Sequence, residues 1–259
     1  MGTVYTIQTQ DGNVLKGQLL KQSTILQEEK TYLLSDYNME KYGDASFIEN
    51  SMSCGGGFRR ARSLMPFEFL DKTGKDINWG LYESDDAQII HKIANAFVVN
   101  FLKFKTEGKG LYIYSGTKGS GKTMLSCCLV NEVIKKHDVS VKFISILDFL
   151  DLTKKGYTSI ADREEVDSLR RACILVLDDI GVEVSKDWVN TTLYQLINYR
   201  YSSKLITIFT SNIPIENLKI DDRIKDRINA MTIKIHLPEV SIRWKQAEER
   251  NAEFISTVL

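Results

Sequence analysis

Cysteine is scarce in this sequence, and its placement excludes two kinds of chemistry. Cys54, Cys127, Cys128 and Cys173 are the four, and only Cys127 and Cys128 are close in sequence. Adjacent cysteines form neither a Cys-x-x-Cys pair nor a common disulfide, so no zinc site or disulfide framework is readable. An excess of charge of one sign is also missing, because 34 Lys and Arg balance 34 Asp and Glu. A role on nucleic acid would need a local basic face rather than a basic chain. No run approaches the ~18 uninterrupted apolar residues of a membrane span. The start, Met1 to Tyr5, lacks the basic-then-apolar order of a secretory signal. The expected setting is a reducing cytoplasm, with no membrane partner. Internal repeats and low-complexity tracts are missing too.

What is present is a chain with 43% hydrophobic residues, enough for a substantial core. Residues 3–20 alternate between apolar and polar around Asp11-Gly12-Asn13 and read as a hairpin, since Asp-Gly favours the left-handed conformations of a tight turn. Residues 21–50 carry no assignable pattern. Gly55-Gly56-Gly57, followed by Arg59, Arg60 and Arg62, suits a linker rather than a regular element. The arginines are either a contact for DNA or a partner, or ordinary linker charge. The apolar stretch Leu64 to Leu70 is too short for a domain and is expected to pack against the residues C-terminal to it. Three regions result: residues 1–55, a linker and leading segment at 56–84, and a main domain at 85–259.

In the main domain, Ile89, Ile90, Ile93, Ala94, Phe97, Val98 and Phe101 recur at helical spacing. Strands are expected at 110–115, 140–146, 173–178, 205–210 and 232–236, with helices between them near 121–136, 147–155, 161–171, 186–202 and 220–230. A polar helix at about 240–254 closes this pattern. The run Cys173 to Leu177 is apolar without alternation, as in a strand buried on both faces. Strands alternating with helices predict an α/β fold, a parallel sheet of five strands covered by helices.

Between the first strand and its helix lies Gly116-Thr117-Lys118-Gly119-Ser120-Gly121-Lys122-Thr123, which satisfies the phosphate-binding pattern G-x-x-x-x-G-K-[ST]. Glycines there let successive backbone N–H groups curl around an anion at a helix N-terminus. Lys122 is placed for the β- and γ-phosphates of ATP, and the Thr123 hydroxyl for Mg²⁺. About 55 residues on, the buried strand ends in Asp178-Asp179. Asp178 suits the magnesium shell or a helix cap after the strand, and Asp179 either the attacking water or plain solvation. After the next strand comes Thr210-Ser211-Asn212. Asn212 could hold that water by hydrogen bond, or simply make a turn before Pro214.

These three pieces together resemble the AAA+ ATPases, with their RecA-like sheet. The run Val176 to Glu183, with Asp178-Asp179-Ile180-Gly181, narrows the resemblance to the DnaC/DnaI/IstB group of helicase loaders and transposition ATPases, as do Phe209-Thr210-Ser211-Asn212 and Asp222-Arg223-Ile224-Lys225-Asp226-Arg227-Ile228. It covers about residues 65–250. The resemblance implies that Arg227 is an arginine finger acting on a neighbouring subunit's nucleotide, that Arg223 supports it, and that Arg243 in Ser241-Ile242-Arg243 contacts nucleotide in cis. Without it, Arg223 and Arg227 read as surface charge on an amphipathic helix, and Arg243 as solvated. The sequence departs from the group twice. Many AAA+ proteins carry Asp-Glu where this chain has Asp178-Asp179, which implies slow hydrolysis. The cysteine-rich N-terminal zinc module of the DnaI type has no counterpart before His91.

The resemblance implies an ATP-dependent helicase loader. Its expected partners are a replicative DNA helicase through residues 1–55, single-stranded DNA, and further copies of itself. Lys154-Lys155-Gly156-Tyr157 is either a single-strand contact by charge and stacking or a solvated loop. An IstB-like transposition regulator is the alternative, disfavoured by the N-terminal hairpin. A GTPase switch is a third reading, since Asp178 to Gly181 fits D-x-x-G, yet no Asn-Lys-x-Asp occurs.

Overall fold

The computed structural model describes strands Val4–Gln8 (β1), Val14–Leu20 (β2), Thr24–Gln27 (β3) and Lys30–Leu33 (β4), and residues 63–82, 85–181 and 187–258. The four strands form an antiparallel meander in the order β1-β2-β3-β4. The expected hairpin is its first pair, running from Val4 opposite Gln18 to Gln8 opposite Val14. The Asp11-Gly12-Asn13 turn, the glycine linker with its arginines, and Val182 to Lys186 lie outside the described residues. The second pair, β3 and β4, was not legible: each strand is four residues long, too short to establish a period.

The main domain begins earlier than the helical periodicity suggests. The segment from Ser63 to Tyr82, wound into short 3-10 turns, is built into it. Met65 and Leu70 are fully buried in the principal core. The Phe143 amide donates to Ser63 O at 2.5 Å. The Asn131 side-chain amide donates to Phe69 O and Lys72 O, both at 2.8 Å. Helices Asp85–Val99 (α1) and Phe101–Glu107 (α2) come next, interrupted at Asn100.

From there strand and helix alternate: Gly110–Tyr114 (β5), Lys122–Lys136 (α3), Val141–Ser145 (β6), Ile146–Lys155 (α4), Ile160–Arg171 (α5), Ile174–Ile180 (β7), Asp187–Ser202 (α6), Ile206–Ser211 (β8), Asp222–Met231 (α7), Thr232–His236 (β9) and Ile242–Val258 (α8). Every strand was anticipated to within a residue or two. The five strands make one parallel sheet in the order β6-β7-β8-β5-β9.

Successive strand residues face opposite cores. Leu111, Ile113, Ile174, Val176, Ile206 and Ile208 pack with α1 and α3 residues such as Phe97, Val130 and Ile134. Tyr112, Leu175, Leu177 and Phe209 pack with Phe149, Leu193, Leu196 and Ile228 from α4, α6 and α7. Full burial of each such side chain stabilises the fold by about 1.5–3 kcal/mol. A charged side chain, Arg200, also lies in this interior. Arg200 is completely buried and donates to four carbonyls (Leu169, Arg170, Ala172, Ile206) and the Thr207 hydroxyl. Burial pulls its guanidinium down to about 9, so it remains protonated at neutral pH. It ties the end of α5 to the start of β8. Among the described residues no helix is long and apolar enough to cross a membrane.

The strand order positions the site. β8 lies between β5, which carries the glycine loop, and β7, which carries the acidic pair. The carboxyl ends of three adjacent strands therefore converge, the usual place for ligands in parallel sheets.

Candidate nucleotide-binding site

The loop after β5 runs through Ser115 to Gly121, and α3 begins at Lys122. Gly119 and Gly121 have φ of 77° and 91°, a conformation that glycine alone adopts readily. Neither position has room for a side chain. A Cβ on Gly119 would lie 2.9 Å from Arg243 Cβ, and one on Gly121 would lie 2.7 Å from the Tyr82 hydroxyl. Lys122 is buried, and its ammonium donates to Ser115 O (3.3 Å), Thr117 O (3.2 Å) and Ser120 Oγ (3.3 Å). Burial lowers its pKa, against the opposing pull of Asp179, Glu239 and Asp178. A cation held by neutral groups beside an anion-binding loop has its charge available for an incoming phosphate.

Across the sheet, the Thr123 hydroxyl donates to Asp178 Oδ1 at 3.0 Å. Burial raises the Asp178 carboxyl above its ordinary value. Hydrogen bonds from Thr210 and Thr123 oppose this, the adjacent Asp179 adds to it, and Lys122 counters it. Asn212 Nδ2 donates to Asp179 Oδ1 at 2.8 Å. The structure thus brings Lys122, Thr123, Asp178, Asp179 and Asn212 together. Lys118 stands exposed on the rim. A hydroxyl and a carboxylate in contact are the hard oxygen donors that Mg²⁺ favours, so the residues present fit a magnesium-bound nucleotide.

The expected arginines divide. The Arg243 amide donates to Gly119 O at 3.1 Å, so the first turn of α8 rests on the phosphate loop. Arg223 and Arg227 are held elsewhere. Arg227 donates to Asn198 Oδ1 (2.7 Å), the Tyr194 hydroxyl (3.0 Å) and Arg223 O (2.9 Å), with its guanidinium 4.7 Å from the centre of the Tyr194 ring. Arg223 pairs with Asp221 at 2.8 Å and lies 5.0 Å from the same ring. This cluster sits on α6 and α7, its guanidinium groups engaged by Tyr194, Asn198 and Asp221.

Two parts of the site went unread in the sequence. Beside the loop, Asp76, Ile77, Asn78, Trp79, Tyr82, Met124, Leu125 and Ile242 line a small, largely apolar cleft. The Tyr82 hydroxyl donates to Ser120 O at 2.8 Å and ties the cleft to the loop. The second is Glu239, whose carboxylate accepts from the amides of Gly116 (2.9 Å) and Thr117 (2.5 Å) and the Ser115 hydroxyl (3.1 Å), and meets His236 Nε2 at 3.0 Å. Burial alone would raise its carboxyl, but bonds from Thr117, Gly116, His236 and Ser115 bring it down to about 2. Neither part has a local motif, because its residues meet only in the folded chain.

Comparisons with known proteins agree with this architecture. The family model for IstB-like ATP binding protein matches residues 59–249. Replicative helicase loader DnaI of Bacillus subtilis (strain 168) is 32% identical over 126 residues, 47% of this chain and 40% of that one. Replicative helicase loader DnaC of Escherichia coli (strain K12) is 28% identical over 121 residues, 45% of this chain and 49% of that one. The matched region thus spans half or less of these relatives. The crystal structure of DnaI superposes with a TM-score of 0.57 and 26% identity, covering 68% of this chain and 95% of that one. With the matching model reaching from the segment before α1 into α8, the chain belongs to the IstB-like ATP-binding protein family and carries the AAA+ fold of the DnaI and DnaC proteins.

Proposed function

We propose that this protein is an ATP-dependent helicase loader, which binds a replicative DNA helicase and assists its placement on single-stranded DNA. The observation that carries the reading is the similarity of its ATPase half to two replicative helicase loaders, DnaI and DnaC. In this reading residues 1–55 bind the helicase, and the motor is residues 85–259 together with the segment from Ser63 to Tyr82 that packs into their core.

Hydrolysis is attack of water on the γ-phosphate of ATP. Within the loop Gly116 to Gly121, the Gly116 and Thr117 amides are taken by Glu239 and those from Lys118 to Gly121 are offered to the phosphates. Lys122 offers its charge, and Thr123 and Asp178 would be the ligands for Mg²⁺, which when bound would neutralise phosphate charge. Asp179 and Asn212, already hydrogen-bonded to each other, orient the water. Arg243 contacts the nucleotide in cis. Arg227, supported by Arg223, reaches a neighbouring subunit's γ-phosphate, so the active form is an oligomer. The shorter reach of Asp179, compared with a glutamate, makes hydrolysis slow and dependent on assembly or DNA.

For single-stranded DNA the candidate surface is the end of α4 with the start of α6. Lys154 Nζ lies 5.1 Å from the centre of the Trp188 ring, and Trp188 Nε1 is 3.5 Å from the hydroxyl of the exposed Tyr157. With Lys155 alongside, this supplies stacking faces and phosphate charge.

The test is light scattering after size exclusion of the protein with its host's replicative helicase, with and without ATP. A complex that depends on residues 1–55 supports the loader. The match to the IstB-like model favours a second reading, a transposition regulator, whose mark would be no complex but ATP-dependent assembly on duplex DNA.

A further inference from the structure

The ladder between β7 and β8 breaks at the acidic pair. Leu177 lies opposite Phe209 and Ile180 opposite Ser211, so Asp178 and Asp179 together face the single residue Thr210. This is a β-bulge, uncommon in a parallel pair. It places Asp179 at φ 62°, a left-handed conformation that costs energy for any residue with a Cβ and is least unfavourable for Asp and Asn. A bulged residue loses its ladder partner, and a half-buried amide needs another acceptor.

Thr210 meets that need with its side chain. Its Oγ1 accepts from the Asp179 amide at 2.8 Å and donates to Asp178 Oδ1 at 2.6 Å. A threonine hydroxyl has one proton and spare lone pairs, so both bonds form at once and fix its rotation. Thr210 is 1% exposed, and competition from water is small. The next residue secures the same turn, Ser211 Oγ donating to Ile180 O at 2.7 Å. Asn212 acts differently, holding the Asp179 side chain rather than its backbone.

We infer that Thr210 is a positioning residue: its one hydroxyl orients the Asp178 carboxylate toward the metal site and holds Asp179 in the left-handed turn that presents its carboxylate to water. This rests on the ATP-hydrolysis reading above. It distinguishes Thr210 from a strand residue chosen for packing, which valine would serve equally well. Without the hydroxyl, the Asp179 amide loses the acceptor it has in this structure, and the Ser211 bond to Ile180 O is left as the tie on the bulge.

The experiment compares Thr210→Val, which keeps the β-branched shape, with Thr210→Ser, which keeps the hydroxyl. Steady-state hydrolysis is measured with ATP and Mg²⁺, ATP binding is measured in EDTA, and amide exchange of Asp179 is followed by NMR. In Thr210→Val, kcat should fall roughly ten- to a hundredfold and half-saturation in Mg²⁺ should rise. ATP affinity in EDTA should change less than about threefold, and the Asp179 amide should lose its protection. Thr210→Ser should restore each property. Wild-type kcat in Thr210→Val, or a serine variant as impaired as the valine one, overturns the assignment. Should the parent protein hydrolyse no ATP, the ATPase reading fails, and Asp179 exchange still decides: protection unchanged in Thr210→Val removes the inference.

Discussion

The phosphate loop and the arginine cluster on α6 and α7 are built on opposite plans. Around the loop, groups suited to phosphate and Mg²⁺ converge within one chain: Lys122 with only neutral acceptors, and a hydroxyl and a carboxylate in contact. Around Tyr194, two arginines are held in place by side chains of α6 and of the start of α7. Arg227 is fixed by Asn198 and Tyr194, and Arg223 by Asp221. A guanidinium oriented this way on a surface has lost part of its rotamer entropy in advance, which favours docking against another molecule. Under the proposed function, this difference makes binding nucleotide a property of the chain and hydrolysing it a property of the assembly.

The sharpest way to break that contrast is Arg227→Ala. Hydrolysis by the assembled protein should fall by about a thousandfold or more, while ATP binding to the isolated chain stays within about twofold. Arg227→Lys should not rescue it, because an ammonium cannot reproduce the planar fork. Normal turnover in either variant would place the finger elsewhere. The reciprocal change, Lys122→Ala, should weaken ATP binding by about a hundredfold in single chains and assemblies alike, since it removes a charge-assisted phosphate contact. Titration calorimetry on both forms would check this, and a loss confined to the assembly would contradict it.

A smaller effect is expected at Glu239. Its folded pKa of about 2 lies below the ordinary 4.5. A depressed carboxyl stabilises the fold above its unfolded value, and that contribution is lost as pH falls from 4.5 toward 2. The side chain is about half exposed, so solvent screening keeps the effect modest. In thermal melts across this window, the wild type should lose more stability than Glu239→Gln, which carries no titrating group there. Parallel melting curves would show that the carboxylate does not brace the loop.

The sheet was legible because its strands are apolar runs bounded by polar turns, with Ile174 to Leu177 the plainest case. The phosphate loop was legible because its eight residues are contiguous and their spacing is the chemistry. Asp178 was legible from its place at a buried strand's end. Glu239 escaped notice because nothing in His236-Leu237-Pro238-Glu239 points back more than a hundred residues to Gly116. The apolar cleft joins Trp79, Met124 and Ile242 from three distant segments, each an ordinary apolar residue on its own. Thr210 was visible as part of Thr210-Ser211-Asn212, but its two-sided bond depends on a register shift that no periodicity reports.

Adjacency along the chain was enough to read the order of strands and helices from β5 onward, the phosphate-loop pattern and the acidic pair. Folding in three dimensions was needed to place β8 between β5 and β7, to close Glu239 on the loop, and to hold Arg227 against Asn198 and Tyr194. Those outcomes depend on which surfaces bury against each other, a choice made by the whole core and recorded in no single stretch of residues.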